Sequence, residues 1–90
     1  SNLSNLETLN LNFLNLTCIN KNTFKNLKKV NFVYLNENFL KIIGNDTFKY
    51  VENVKRIEFQ SNNIESIEQN AFSGMKFLNY LGLENNNLKT

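Results

Sequence analysis

The hydrophobic residues of this chain recur at a constant spacing of 24 residues. Position 1 of the repeating unit is Leu6, Val30, Val54 and Leu78; position 4 is Leu9, Val33, Ile57 and Leu81; and position 6 is Leu11, Leu35, Phe59 and Leu83. Position 11 is Leu16, Leu40, Ile64 and Leu88; position 14 is Ile19, Ile43 and Ile67; and position 19 is Phe24, Phe48 and Phe72. No insertion or deletion interrupts this register, which indicates three and a half copies of one unit in a single array over residues 1–90.

Position 9 differs from its apolar neighbours, because it holds Asn38, Asn62 and Asn86 in the last three copies. A buried amide without hydrogen-bond partners costs about 1 to 3 kcal/mol. The recurrence therefore predicts that the backbone turns at this position and supplies partners, so that the stacked asparagines form a structural ladder. Leu14 takes the place of asparagine in the first copy, which we expect to be the looser one.

Around positions 3 to 7 apolar and polar residues alternate, which is typical of a half-buried strand. We predict strands near residues 8–12, 32–36, 56–60 and 80–84. They must be parallel, because the chain returns through the rest of each unit. The return segments carry a short polar residue shortly before the phenylalanine of position 19, which favours turns or 3-10 helical pieces.

The pattern L-x-x-L-x-L-x-x-N-x-L fits residues 6–16, 30–40, 54–64 and 78–88. On these residues the chain resembles the leucine-rich repeat family, and the phenylalanine at position 19 is similar to the 24-residue class found in Toll-like receptors and secreted insect proteins. The resemblance implies an α/β solenoid. This would be a right-handed superhelix, or horseshoe segment, with short parallel strands on the concave face and turns or 3-10 pieces on the convex face. Such families usually carry capping modules, and we expect this chain to be an uncapped segment of a longer array.

The composition disfavours catalysis. There is no histidine, no glycine-rich phosphate loop and no acidic or cysteine cluster with metal-ligand spacing, and Cys18 is the single cysteine. We therefore expect no enzymatic activity, no cofactor and no metal. The net charge of +2 does not by itself favour nucleic acid. No apolar run reaches the roughly 18 to 20 residues of a membrane helix, so we expect no membrane contact by this segment.

Positions 3, 5, 7 and 8 point away from the predicted core and differ between copies, which makes the concave face the candidate binding site. The candidate binding residues are Phe32, Tyr34, Arg56, Glu58, Tyr80 and Phe13. Aromatic residues and arginine are typical interface anchors, so we expect a protein or peptide ligand. The alternative is incidental exposure of single apolar residues, which is normal on any surface. Most lysines fall on the return segments, where a solubilising role fits better than a nucleic-acid site.

Three Asn-x-Ser/Thr motifs, at Asn2, Asn15 and Asn45, are candidate glycosylation sites. Together with the position-19 phenylalanine they favour an extracellular location, and the resemblance to Toll-like receptors implies a receptor ectodomain or a secreted protein of innate immunity. Two alternatives stay open. One is an intracellular scaffold with the same fold, and the other is a structural spacer that self-associates through uncapped ends.

Overall fold

A computed structural model describes residues 3–89 of the chain. Its strands are β1 (Thr8–Asn10), β2 (Phe32–Tyr34), β3 (Ile42–Ile43), β4 (Arg56–Glu58), β5 (Ser66–Ile67) and β6 (Tyr80–Gly82), and its 3-10 helices are Leu3–Asn5 and Lys21–Phe24. Within this range there is no α-helix. No helix among these residues is long and apolar enough to cross a membrane.

The strands form two parallel sheets that follow the repeat. The larger sheet has the order β1-β2-β4-β6, and β3 pairs with β5 in the smaller one. Each pairing joins residues 24 apart, as in Val33 to Ile57 and Ile57 to Leu81. Parallel strands with few helices are compatible with the predicted repeat solenoid.

The strands of the larger sheet are two residues shorter than the sequence predicted. Backbone pairing continues past them, since the amide of Leu35 donates to the carbonyl of Glu58 at 2.8 Å and that of Glu37 to Gln60 at 2.9 Å. The chain then leaves the sheet at position 8, where all four copies have a positive φ: Phe13 (60°), Glu37 (60°), Ser61 (60°) and Asn85 (59°). This left-handed turn ends each strand.

The core lies between the larger sheet and the return segments. Residues at positions 4 and 6 of the second and third copies are fully buried: Val33, Leu35, Ile57 and Phe59. The rings of Phe24, Phe48 and Phe72 contact one another along the array with centroid separations of 5.1 and 5.5 Å, the first pair tilted and the second stacked. Such pairs contribute about 0.5 to 1.5 kcal/mol beyond their buried area. The position-19 column is therefore an aromatic spine that ties each copy to the next.

The asparagines at position 9 bond to the preceding copy in the same way each time. The side-chain oxygens of Asn38, Asn62 and Asn86 accept from the backbone amides of Leu16, Leu40 and Ile64 at 3.0, 3.0 and 2.9 Å. Their amide groups donate to the carbonyls of Leu11, Leu35 and Phe59, each at 2.9 Å. Each position-9 asparagine thus provides hydrogen-bond partners for backbone groups that the left-handed turn takes out of the pairing within the sheet.

The return segments are less regular than the strands. The first contains a 3-10 helix, Lys21–Phe24, capped by Asn20, whose side chain accepts from the amide of Asn22 at 2.8 Å. The equivalent segments of the second and third copies are turns. The small β3–β5 sheet was not predicted. Ile43 is buried and Ile42 is 51% exposed. A strand of two residues is too short to show an alternating pattern in the sequence.

The outermost copies bury less than the inner ones. Leu9 and Leu11 are only partly buried at one edge of the larger sheet, and Leu81 and Leu83 at the other. Leu14 is 53% exposed. The first copy has no asparagine at position 9 and bonds to that of the second copy. The side-chain oxygen of Asn38 accepts from the backbone amide of Leu14 at 3.0 Å.

Candidate binding face

Five of the predicted site residues lie together on the outward side of the larger sheet. Their positions 3 and 5 alternate with the buried position 4, and all five are half-buried. We call this surface the open face: Phe32, Tyr34, Arg56, Glu58 and Tyr80. Phe32, Arg56 and Tyr80 are register partners on three adjacent strands. Neighbouring strands lie about 4.8 Å apart, so the open face is about 10 Å wide.

Arg56 is fixed at the centre of the open face. Its Nε donates to Oε2 of Glu58 at 2.6 Å, and its guanidinium carbon lies 3.8 Å from the ring centroid of Tyr80. The hydrogen bond to Glu58 holds the pKa of the Arg56 guanidinium above its ordinary value, while burial acts in the opposite direction. Stacking on an aromatic ring and a directed carboxylate bond are contacts that arginine makes and lysine cannot reproduce.

The carboxylate oxygen of Glu58 that does not contact Arg56 accepts a second hydrogen bond. Asn36 donates from Nδ2 to Oε1 of Glu58 at 2.9 Å. Burial raises the pKa of the Glu58 carboxyl, but the hydrogen bonds from Asn36 and Arg56 and the charge of Arg56 outweigh it, and the pKa lies below its ordinary value. Glu58 is therefore ionised near neutral pH and serves to orient Arg56.

Position 7, which the sequence placed with positions 3, 5 and 8 on the candidate binding face, is occupied by hydrogen bonds between copies. The side-chain oxygen of Asn12 accepts from the backbone amide of Asn36 at 2.7 Å, and that of Asn36 accepts from the amide of Gln60 at 2.8 Å. Asn36 therefore joins the backbone of the next copy to Glu58. The signal for this second row of asparagines is the 24-residue spacing of Asn12 and Asn36.

Gln60 lies across Gly82 on the neighbouring strand, a contact that sequence reasoning missed. A Cβ added at Gly82 would lie 3.0 Å from Cδ and Nε2 of Gln60. The side-chain oxygen of Gln60 is buried and has no hydrogen-bond partner among the described residues. Because glycine has no side chain, the side chain of Gln60 occupies the space over Gly82, on the same face of β6 as Tyr80.

Phe13 is not part of the open face. It lies in the turn beyond β1, where its amide donates to the carbonyl of Asn36 at 3.1 Å. It is 71% exposed, the largest value among the large hydrophobic residues whose burial the structure describes. The sequence prediction grouped it with the strand residues because the left-handed turn at position 8 is not visible in the residue types.

The remaining titratable groups form no reactive cluster in residues 3–89. No group of three or more histidine, cysteine or acidic residues there is placed to hold a metal ion. Cys18 is exposed and unpaired, and Glu84 is exposed. What the open face can do chemically is offer aromatic surface, an oriented guanidinium and hydrogen-bonding groups to a ligand.

Two of the three glycosylation motifs can be placed. Asn15 is exposed, with a φ of 58°. Asn45 is also exposed, and its side-chain oxygen accepts from the amide of Asn70 at 2.8 Å. This bond uses the side-chain oxygen of Asn45 and not its amide nitrogen, the atom that would carry a glycan. Asn2 lies outside the described residues.

Comparison with known proteins agrees with this architecture. The profile of the leucine rich repeat family matches residues 30–88, well over half of the chain. No curated protein matches the chain. Domains of this family generally mediate binding between proteins and are typically not catalytic. The matched segment contains the three copies that carry the position-9 asparagines, and the chain belongs to the leucine-rich repeat family.

Proposed function

We propose that this chain is a recognition module that binds a protein or peptide through the open face. The observation that carries the proposal is the fixed guanidinium of Arg56, held between Glu58 at 2.6 Å and the ring of Tyr80 at 3.8 Å. Phe32 and Tyr34 lie beside it on β2. This combination of aromatic residues and arginine is typical of the residues that carry most of the binding free energy in protein interfaces.

Preorganisation supports this role. Ordering a flexible side chain on binding costs about 0.5 to 1.5 kcal/mol, and the contacts of Arg56 remove part of that cost in advance. Guanidinium has five N–H donors, and Arg56 uses only Nε within the described part of the chain. The terminal nitrogens can therefore donate to a carbonyl or carboxylate of the ligand, while Phe32 and Tyr34 contact its apolar groups.

We also propose the overall shape of the array. The array is a right-handed superhelix, a segment of a horseshoe, and the open face lies on its concave side. Strands are thinner than the return segments, so stacking copies makes the sheet side the shorter arc. A concave surface surrounds a ligand more completely than a flat one does.

The setting proposed for this module is extracellular, as part of a receptor ectodomain or a secreted protein, including the proteins of innate immunity. The exposed Asn15 and Asn45 in glycosylation motifs support it, as does the aromatic spine at position 19. Secretion of the chain from animal cells should give a glycan mass on Asn45 that glycosidase removes. An unglycosylated Asn45 in the secreted chain would favour the intracellular scaffold instead.

The binding proposal is tested by selecting peptides from a displayed random library against the 90-residue chain. Replacing Tyr34 and Arg56 together by alanine should weaken the selected peptides at least tenfold, with the melting temperature nearly unchanged. A matched control replaces Phe39 and Lys25, an exposed aromatic residue and an exposed cation that lie outside the open face. Equal affinity for both double variants would remove the open face from the proposal.

A second candidate function, self-association or a spacer role, is favoured by the exposed Leu14 and Leu88 in the outermost copies, which are 53% and 44% exposed. Sedimentation over a concentration series tests it. A mass that rises with concentration, and that falls when Leu14 and Leu88 are replaced by asparagine and lysine, supports self-association. A constant monomer mass argues against it.

A further inference from the structure

Two adjoining clefts lie along the edge of the molecule where the strands of the larger sheet begin. The first has a volume of about 400 Å³ and is lined by Glu7, Lys29, Asn31, Asn53, Lys55 and Phe77. The second, of about 350 Å³, shares Asn53 and is lined further by Lys28, Lys49, Tyr50 and Glu52. We call this surface the basic edge. It shares no residue with the open face.

The repeat builds the first cleft from two rows of residues. Glu7, Asn31 and Lys55 occupy position 2, directly before β1, β2 and β4, and Lys29, Asn53 and Phe77 occupy the last position of each copy. The carbonyl of Glu7 accepts from the amide of Asn31 at 2.8 Å, and that of Asn31 accepts from Lys55 at 2.8 Å. The rows are therefore fixed by backbone hydrogen bonds, and the side chains extend from a rigid base.

The lysines of the basic edge are not neutralised. The ion pairs in the described residues join Lys41 to Glu65, Lys89 to Glu65 and Arg56 to Glu58, all elsewhere on the molecule. The two clefts contain four lysines and two glutamates, and none of these six side chains is in an ion pair within residues 3–89. This surface is positive although the whole chain carries a net charge of only +2. Uncompensated lysines around a cleft attract carboxylates.

The basic edge also has apolar and amide groups. Phe77 is 57% exposed at the first cleft and Tyr50 is 38% exposed at the second. Asn53, between the two clefts, donates from Nδ2 to the carbonyl of Lys28 at 3.2 Å, which orients its side-chain oxygen. An exposed aromatic ring beside cations and amides can accept an apolar side chain whose neighbours are acidic.

We propose that the basic edge binds an acidic peptide segment of a partner protein, with carboxylates at Lys29 and Lys55 and an apolar side chain against Phe77. Charge complementarity selects this occupant. Glu7 and Glu52 lie among the lysines and would repel the continuous phosphates of a nucleic acid, whereas a peptide can place uncharged residues opposite them. The proposal is independent of ligand binding at the open face.

The test measures the binding of three fluorescent peptides and one oligonucleotide to the 90-residue chain. The first is a twelve-residue peptide of aspartate and glutamate around one phenylalanine, and the second carries asparagine and glutamine in place of the acids. The acidic peptide should bind at least tenfold more tightly, and its affinity should fall about tenfold between 50 and 300 mM salt. The third peptide is acidic and lacks phenylalanine, and the oligonucleotide has the same length as the peptides.

Variants locate the binding. The pair Lys29→Glu and Lys55→Glu should weaken the acidic peptide at least tenfold, whereas Lys21→Glu with Lys25→Glu, which changes the net charge equally outside the clefts, should change it less than twofold. Phe77→Ala should weaken only the phenylalanine-containing peptide. All these side chains are exposed, so each variant should keep the circular dichroism and melting temperature of the parent. Equal losses for both charge pairs, or tighter binding of the oligonucleotide, would overturn the proposal.

Discussion

The guanidinium carbon of Arg56 lies 3.8 Å from the ring centroid of Tyr80, across the boundary between β4 and β6. The two residues are register partners, 24 apart in sequence. Glu58, two residues further along β4, fixes the other side of the guanidinium. An arginine held at two points presents its free N–H groups in one direction, which is the property that the proposed ligand site requires.

Arg56→Lys should reduce the affinity of peptides selected on the open face about tenfold although the charge is retained. A lysine ammonium cannot both bond to Glu58 and cover the ring of Tyr80. Calorimetric titration of the selected peptides measures the change. The reverse exchange at the preceding residue, Lys55→Arg, is the control and should leave the affinity within twofold, and no loss in Arg56→Lys would contradict the role given to the guanidinium.

Asn62→Ala should lower the free energy of unfolding by about 3 kcal/mol, because it removes three hydrogen bonds and leaves the buried backbone amide of Leu40 without a partner, while the carbonyls of Leu35 and Phe59 still accept from Asn38 and Asn86. The side chain of Asn62 accepts from the amide of Leu40 and donates to the carbonyls of Leu35 and Phe59. Urea unfolding measures the difference. Asn63→Ala changes an exposed neighbour and should stay within about 0.5 kcal/mol of the parent. Similar values for the two variants would show that the ladder contributes little.

Leu14→Asn should raise the free energy of unfolding by about 0.5 kcal/mol. The new amide can donate to the carbonyl of Leu11, as Asn38 donates to that of Leu35 at 3.1 Å. Little burial is lost, since Leu14 is 53% exposed. Leu14→Asp has the same shape without the amide donor and should not stabilise. If both substitutions destabilise the chain equally, Leu14 contributes apolar contacts that outweigh the hydrogen bond.

Glu58 should make stability fall in acid. Its pKa is below the ordinary value in the folded chain, so its contribution is complete above the pKa of the unfolded chain, near 4.5, and is lost as pH falls through the folded pKa. Urea midpoints from pH 7 to pH 2.5 should therefore drop more steeply for the parent than for Glu58→Gln. Glu84→Gln, at an exposed carboxyl, is the control and should follow the parent curve.

Local pattern was sufficient to find the repeat, because burial imposes the same periodicity on every copy. The position-19 phenylalanines are the clearest case, because three identical residues 24 apart in sequence bring their rings into contact. Position 8 is the opposite case, since Phe, Glu, Ser and Asn share one left-handed conformation. Of these four residue types only asparagine favours that conformation. Phe13 adopts it although Leu14 follows it in place of asparagine, so the turn that leaves the strand imposes the conformation.

The sequence by itself therefore determined the register, the inward columns and the residues available on the sheet, since each follows from spacing and side-chain polarity. Only the tertiary structure decided that Asn36 donates a hydrogen bond to Glu58, that Gln60 packs over Gly82, and that Lys29 and Lys55 line a cleft with Phe77. These contacts join different copies of the repeat. Their existence depends on how the copies stack, and stacking distances between side chains are not contained in the spacing of residues along one chain.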